Sequence, residues 1–448
     1  VSIDFLTDIF KENPAADAII WHDSHFSYSW LLDNVESWNS KLSENNVSPG
    51  QVVLLEGDFS PNCAALLLSL IARNAIIIPL SAAAKSDRDK FIGIGQAEFI
   101  VNVDDRDSVE VEGINKTATH ALYENLRQNN HPGLVLFSSG STGESKAAVH
   151  DFHSLLQKYM TKRHKLRTVA FLLFDHIGGI DTFFYSLSNG SCVITLTERS
   201  PDNVCAVIER HKAEVLPVSP TFLNLLILSE AYKRYDLSSL KYITYGTEVM
   251  PNATLKKCAE IFPDTIILQK YGTTEVGTLR SKSQNSQSTW VKIGGEGYQT
   301  RIVDGILHIK ARSAMLGYLN APSPFTEDGW FNTGDAVEVD GEYIKILGRK
   351  SEIINVGGEK VFPTEVENVI QQMDNIAEVV VYGEKNPVVG NIVCAKVTPL
   401  RAEDPKALAA RLKKFCRERL QSFKVPIKVE IVGHKQYSSR YKKIRATE

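Results

Sequence analysis

Residues 51–79 constrain the fold more than any other part of the chain. Gln51-Val52-Val53-Leu54-Leu55 has the apolar continuity of a strand covered on both faces, and Ala75-Ile76-Ile77-Ile78-Pro79 is a second, β-branched one. Between them Ser60-Pro61 opens a helix over 62–73. A serine there offers an oxygen to the free N–H groups of the first turn, and proline at the first helical position lacks only an N–H that would go unpaired anyway. A strand, a helix and a strand of this length predict a parallel βαβ unit. The rhythm returns with strand-like 169–174, helical 182–187, strand 192–196, helical 202–211 and strand 215–218, which predicts layered α/β structure.

From 291 to 348 the texture changes to short strands separated by Gly305, Gly317, Gly329 and Gly341, which we read as a small antiparallel unit. The pattern then restarts with helix 363–373, strands 377–382 and 392–397, and helix 404–420, a compact α+β module. The expected class is α/β. A large N-terminal domain of layered α/β subdomains plus the antiparallel unit (1–348) precedes a small mobile α+β C-terminal domain (349–448).

Composition removes several alternatives. Over 448 residues, 43% are hydrophobic and 23% charged, ordinary globular usage that excludes disorder and collagen-like or coiled-coil repeats. The six cysteines, Cys63, Cys192, Cys205, Cys258, Cys394 and Cys416, form no CxxC, so neither a zinc knuckle nor a disulfide framework is expected. Val1-Ser2-Ile3-Asp4 has no basic n-region or apolar core, and with the cysteine usage this leads us to expect a cytoplasmic location. The most apolar stretch, 63–84, carries Arg73 and Asn74 in its middle, so no membrane span is expected. Charge is uneven: residues 401–448 hold 14 Lys/Arg against 5 Asp/Glu, a +9 tail on a −12 body. Such a tail suits a polyanionic ligand, and no recognised nucleic-acid module accompanies it, so no nucleic-acid partner is expected.

The sharpest motif is Leu134-Val135-Leu136-Phe137-Ser138-Ser139-Gly140-Ser141-Thr142-Gly143-Glu144-Ser145-Lys146. An apolar strand runs into small hydroxyl residues and glycines that end on a lysine. Exposed N–H groups, hydroxyls and one cation can surround a phosphate chain. It is not a Walker A loop, which would require Gly at 145 and Ser or Thr at 147, where Ser145 and Ala147 stand. Tyr271-Gly272-Thr273-Thr274-Glu275 presents hydroxyls and one carboxylate, a hard-cation site or a capped turn, and Tyr271 could stack on a base. Trp330-Phe331-Asn332-Thr333-Gly334-Asp335 and Gly348-Arg349 offer a carboxylate and a guanidinium suited to vicinal hydroxyls, with a turn aspartate as the plainer reading. Gly357-Gly358 reads as a hairpin turn.

Together these residues resemble the adenylate-forming enzymes, which include acyl-CoA and aryl-CoA synthetases, nonribosomal peptide adenylation domains and luciferase. The likeness runs from about Ser27 to Arg445. It implies that Ser138, Ser139, Gly140, Ser141, Thr142, Gly143 and Lys146 hold ATP phosphates, and that Thr274 and Glu275 meet the α-phosphate and Mg²⁺. It also implies that Gly246, Thr247, Glu248, Tyr271 and Gly272 flank adenine and that Asp335 and Arg349 bind ribose. Ser351 falls at the hinge, where the family usually has Asp or Lys, and Gly358 on the loop that lines the pantetheine tunnel. In 438–445, aligning Ile444 with the family's aliphatic residue makes Lys443 the catalytic lysine, with Lys442 in place of the usual Gly; Lys442 itself is the alternative.

The resemblance implies a carboxylic acid, ATP and Mg²⁺ as reactants, with CoA or a carrier-protein phosphopantetheine as acceptor, hence an acid–CoA ligase. Loading of an acyl carrier protein, with an amino acid as one option, is the second reading, and a non-catalytic binding protein the third. In 174–179, His176 matches the gate of acyl and aryl ligases, whereas Asp175 matches the aspartate that holds an α-amino group; the His-Ile-Gly-Gly run favours a non-amino acid. Pro220, Leu223, Met250 and Thr278 are further candidate pocket walls.

Overall fold

The computed structural model describes residues 3–139, 144–433, 435–438 and 440–444. Two seven-stranded sheets form the body among the described residues. In the first, Gly133–Ser139, Ile76–Leu80, Val52–Glu56 and Phe99–Val103 run parallel at the centre. Antiparallel strands close both edges, Val109–Gly113 on one side and Ser145–Asp151 then Gly317–Tyr318 on the other. The expected βαβ unit stands here: Val52–Glu56 and Ile76–Leu80 pair in register from Val52↔Ile76 to Glu56↔Leu80, and every residue of both is buried. Each fully buried Val, Leu or Ile contributes about 1.5–3 kcal/mol relative to exposure. The helix between them begins at Pro61, and the Ser60 hydroxyl accepts the Cys63 N–H.

Pro79 lacks an N–H, and the ladder from this strand to Gly133–Ser139 stops at Ile77↔Leu134. Beyond that point Gly133–Ser139 pairs only with Ser145–Asp151, as far as Ser139↔Ser145. The phosphate-loop motif therefore stands at the C-terminal end of the sheet, where α/β folds bind ligands.

The second sheet runs Ile266–Gln269, Tyr242–Tyr245, Val215–Val218, Thr168–Val169, Val193–Ile194, Asp17–Trp21 and Ser24–Ser27, parallel except for the final hairpin. One expectation is corrected here: of 169–174 only Val169 belongs to a strand, Thr168–Val169. Residues 170–176 instead leave the sheet and turn into the helix Ile177–Ser188, with the His176 N–H donating to the Leu173 carbonyl. Gly179 permits the turn, because a Cβ there would lie 2.8 Å from the Leu172 carbonyl oxygen and closer still to that of Leu173. Alternation of apolar residues cannot distinguish such a buried crossing from a strand.

The antiparallel unit is a six-stranded sheet, Ser281–Ser283, Trp290–Ile293, Tyr343–Arg349, Phe331–Asp340, Ile306–Ala311 and Tyr298–Val303. A five-stranded sheet follows, in which Ile354–Val356, Glu359–Val361, Ile376–Asn386, Gly390–Pro399 and Lys428–Ile431 carry the helices Pro363–Ile370 and Pro405–Arg417. Its core of Val366, Ile370, Val379, Val381, Leu408 and Leu412 is separate from those of the body. All six cysteines are free and buried. Among the described residues no helix is long and apolar enough to cross a membrane.

Candidate active site

The nucleotide-side candidates converge through two tyrosines. Tyr271 opens the hairpin Tyr271–Thr273/Gly277–Leu279, and its hydroxyl donates to Asp335 Oδ2 at 2.6 Å. Strand register sets Asp335 opposite Arg349, whose Nε stands 3.7 Å from Asp335 Oδ1. Burial raises the Asp335 pKa, while the Tyr271 hydrogen bond and Arg349 pull it down. Tyr271 is itself buried, so its ring is fixed by the carboxylate that the motif expected at the ribose. At the other end of the hairpin, Tyr318 donates to Glu275 Oε1 at 2.6 Å and presents its ring to Lys146 Nζ, 5.5 Å from the centroid. Tyr318 thus ties the loop lysine to the candidate metal carboxylate, a role no motif reading singled out.

His150 was also missed. It lies fully buried in Ser145–Asp151, and its Nε2 is 2.7 Å from the Thr274 carbonyl. Desolvation pushes its pKa down to about 4, so the ring is neutral and donates to that carbonyl. It holds the Thr274-Glu275 turn against the strand that carries Lys146. The signal was a lone histidine in an apolar strand, which by itself reads only as a satisfied core group.

Gly246, Thr247 and Glu248 follow the strand Tyr242–Tyr245. A Cβ at Gly246 would stand 2.8 Å from the Lys270 carbonyl oxygen, which explains the glycine. The Glu248 carboxylate is taken up by the Thr221 hydroxyl (2.6 Å) and the Lys443 N–H (2.5 Å), so it braces the C-terminal tail. Gly272 lies exposed in its hairpin, and Gly358, with φ +93°, lies exposed in the turn between Ile354–Val356 and Glu359–Val361. Gly140, Ser141, Thr142 and Gly143 lie outside the described residues, as does the side chain of Ser139; Ser138 pairs with Lys146 across the strand ladder.

On the acyl side, His176 caps its helix by accepting the Gly178 N–H on Nδ1 at 3.0 Å. That bond assigns the ring proton to Nε2, which faces Lys442 Nζ at 3.4 Å. Both groups resist protonation: burial first, then Lys442 and Arg440, holds the His176 pKa well below its ordinary value. Burial lowers Lys442 to about 8, against the opposing pull of Glu248 and with further lowering by Arg440 and Arg349. Only the neutral amine, which prevails above about pH 8, can accept from the Nε2–H; below that pH the two donors face each other without a hydrogen bond.

Lys442 therefore lies beside His176 and within the field of Arg349. Lys443 does not: its ammonium is paired at 2.8 Å with Glu367, on the helix Pro363–Ile370 of the C-terminal domain. In this arrangement the Lys442 side chain reaches His176, and the Lys443 side chain reaches Glu367. The tail crosses with Tyr441 in the left-handed region (φ +52°), and the two lysines after it face opposite sides.

A small cavity, about 20 Å³, is lined by Leu172, Leu173, His176, Thr247, Arg440 and Lys442 among others. A larger one surrounds Lys443 between the domains and is lined by Thr221, Glu248 and Glu367, whereas the smaller one holds His176 and Lys442. Of the candidate walls, Pro220 lines only the larger cavity, and Leu223 and Met250 are buried in the core of the second sheet.

Two family models match, AMP-binding enzyme over residues 6–319 and AMP-binding enzyme C-terminal domain over 365–438. The chain belongs to the AMP-binding enzyme family. Its similar proteins include an indoleacetate–CoA ligase of Aromatoleum aromaticum, 25% identical over 93% of this chain and 91% of that one. A 2-succinylbenzoate–CoA ligase of Listeria innocua is 24% identical over 94% and 93%. Among solved structures, the Bacillus subtilis o-succinylbenzoate CoA synthetase with its acyl-adenylate superposes with a TM-score of 0.79 over 98% of this chain and 96% of that one, at 19% identity. The anthranilate CoA ligase AuaEII with anthranoyl-AMP gives 0.80 over 98% and 96%, at 18% identity. These adenylate-forming enzymes share the fold of this chain.

Proposed function

We propose that this AMP-binding enzyme joins a carboxylic acid to AMP, releases pyrophosphate, and passes the acyl group to the thiol of CoA. The observation that carries the reading is Lys442, whose Nζ faces His176 Nε2 in the cavity lined by Leu172, Leu173 and Thr247 and feels the charge of Arg349. The naming of relatives as CoA ligases supports CoA as acceptor. A carboxylate is a weak nucleophile facing an anionic phosphate, so the task of the site is positioning and charge neutralisation. Lys146, beside the phosphate loop, meets the departing pyrophosphate, and Lys442 bridges the carboxylate and α-phosphate oxygens. Asp335 and Arg349 fix the ribose.

The residues present also fit Mg²⁺. Glu275 Oε1 is held by Tyr318, and among the described residues no hydrogen bond or ion pair is made to Oε2. One carboxylate with nucleotide phosphates is an ordinary magnesium set. Bound there with Thr274 alongside, Mg²⁺ would neutralise phosphate charge.

For the thioester step, the C-terminal domain turns about 348–351, withdraws the lysine and brings the Gly358 turn to the cleft, where the thiol sulfur attacks the acyl carbonyl carbon, the bond to the phosphate oxygen breaks and AMP leaves. Asp175 bears on the choice of acid. It is buried, and its Oδ2 already accepts from the Ser81 hydroxyl (2.7 Å) and from Arg440 (2.9 Å). Its Oδ1 has no hydrogen-bond partner among the described residues, so the preference for a non-amino acid rests on the His176-Ile177-Gly178-Gly179 run.

Two outcomes are expected. With Lys442 lowered to about 8, the active cationic form prevails below that pH and is lost above it. The kcat/KM of acid activation, which reports the free enzyme, should fall as pH rises through about 8, and Lys442→Arg should move this limb upward. Asp335→Ala should raise the KM for ATP by about 10- to 100-fold, the loss of a charged hydrogen bond of about 1.5–3 kcal/mol, with little change in the KM for the acid. The reading is tested by acid-dependent exchange of pyrophosphate into ATP, followed by comparison of CoA with a pantetheinylated carrier as acceptor.

A further inference from the structure

The tail tip places three successive residues differently. The Tyr441 ring packs against Phe171 and Phe222, with centroids 5.5 and 5.6 Å away, and its hydroxyl donates to the Arg199 carbonyl at 2.6 Å. Its own carbonyl accepts the Ser219 hydroxyl at 2.7 Å. On either side, Arg440 and Lys442 enter the acyl-side cavity. Arg440 Nη2 reaches Asp175 Oδ2 at 2.9 Å, a carboxylate only 4% exposed. The other donors to that oxygen are the Ser81 N–H (3.2 Å) and hydroxyl (2.7 Å), both neutral. Among the described residues Arg440 is the one cation paired with Asp175.

A buried carboxylate that loses its counter-ion must be rehydrated or protonated, and both carry a free-energy cost. The body of the enzyme thus holds a charge that only the docked tail satisfies. We propose that Arg440 is a positioning residue for adenylate formation: its ion pair with Asp175 latches the tail onto the acyl pocket and so sets Lys442 beside His176. This rests on the adenylation reading above. The pair exists only while the tail is docked, so it serves acid activation and takes no part in thioester formation, for which the tail withdraws. Tyr441 supplies apolar anchoring, and the Arg440 pair supplies the charge-specific part of the contact.

The kinetic test separates the half-reactions. Arg440→Gln should lower kcat for acid-dependent ATP–pyrophosphate exchange by about 10- to 100-fold, the range for a charged hydrogen bond. Thioester formation from supplied acyl-adenylate and CoA should stay within about twofold. Asp175→Asn should act in the same direction, the double variant should be no worse than the poorer single one, and Arg440→Lys should restore part of the rate. Equal loss in both half-reactions, or unchanged exchange, would overturn the latch.

A second measurement needs no acid. Hydrogen exchange of the tail peptide 437–444 should quicken in both Arg440→Gln and Asp175→Asn while the helix Ile177–Ser188 keeps its protection. An unchanged tail would sink the latch whatever the enzyme's substrate. A wild-type protein that activates no acid, yet shows the quickened tail in both variants, would defeat the adenylation reading while sustaining the latch contact.

Discussion

Lys442→Ala should reduce acid-dependent ATP–pyrophosphate exchange by about 10²- to 10³-fold, the usual effect of removing one preorganised charge partner of a reacting oxygen. Lys443→Ala should leave exchange within about tenfold of wild type. The two lysines are neighbours, yet they face different elements. Lys442 Nζ lies 3.4 Å from His176 Nε2, whereas Lys443 Nζ is paired with Glu367. Glu367 is 3% exposed and keeps the Val381 N–H, so losing its ammonium partner should still lower the stability of the C-terminal domain. The Lys443 N–H that reaches Glu248 survives the substitution to alanine. One variant therefore loses rate with its melting behaviour intact, and the other loses stability with much of its rate. Exchange assays and thermal melts of both variants check this, and the reverse assignment would restore Lys443 as the lysine of the cleft.

Gly179→Ala should be the most damaging single substitution in the body. Its Cβ would stand 2.8 Å from the Leu172 carbonyl oxygen and closer to that of Leu173, and backbone cannot swing away as a side-chain tip can. The helix start must shift, taking His176 with it, because its Nδ1 is fixed to the Gly178 N–H. Overpacking of this kind costs about 1–3 kcal/mol or more. We expect a melting midpoint lower by several degrees and loss of acid activation, with ATP binding retained because Asp335, Arg349 and Tyr271 lie on other elements. A control, Gly93→Ala, meets nothing within 4 Å of its Cβ and should be neutral.

Much of the fold was legible because local signals and tertiary burial agree. Val52–Glu56, Pro61–Ala72 and Ile76–Leu80 were readable from a continuous apolar run, a Ser-Pro cap and an Ile run. Where they disagree, the sequence misleads: 170–174 is as apolar as a strand, but Gly179 draws a helix onto its carbonyls and the pairing ends at Val169. The site was legible in its motifs and less so in its couplings. Asp335 and Arg349 were expected together at one sugar, but that strand register sets them opposite each other was not legible. Tyr318, 43 residues from Glu275, and Arg440, 265 residues from Asp175, join the site through contacts that no local pattern encodes. That Lys442 faces His176 while Lys443 faces Glu367 is likewise something motif spacing does not reveal.

The most direct measurement of the central claim is to incubate the folded protein with ATP, Mg²⁺ and one acid at a time from a panel of aryl, fatty and amino acids, and to assay acyl-AMP by mass together with pyrophosphate. The expected result is an acyl-adenylate from at least one non-amino acid, matched by pyrophosphate, strongly reduced in Lys442→Ala and consumed on addition of CoA. Protein that binds ATP but forms no acyl-adenylate from any member of the panel would contradict it.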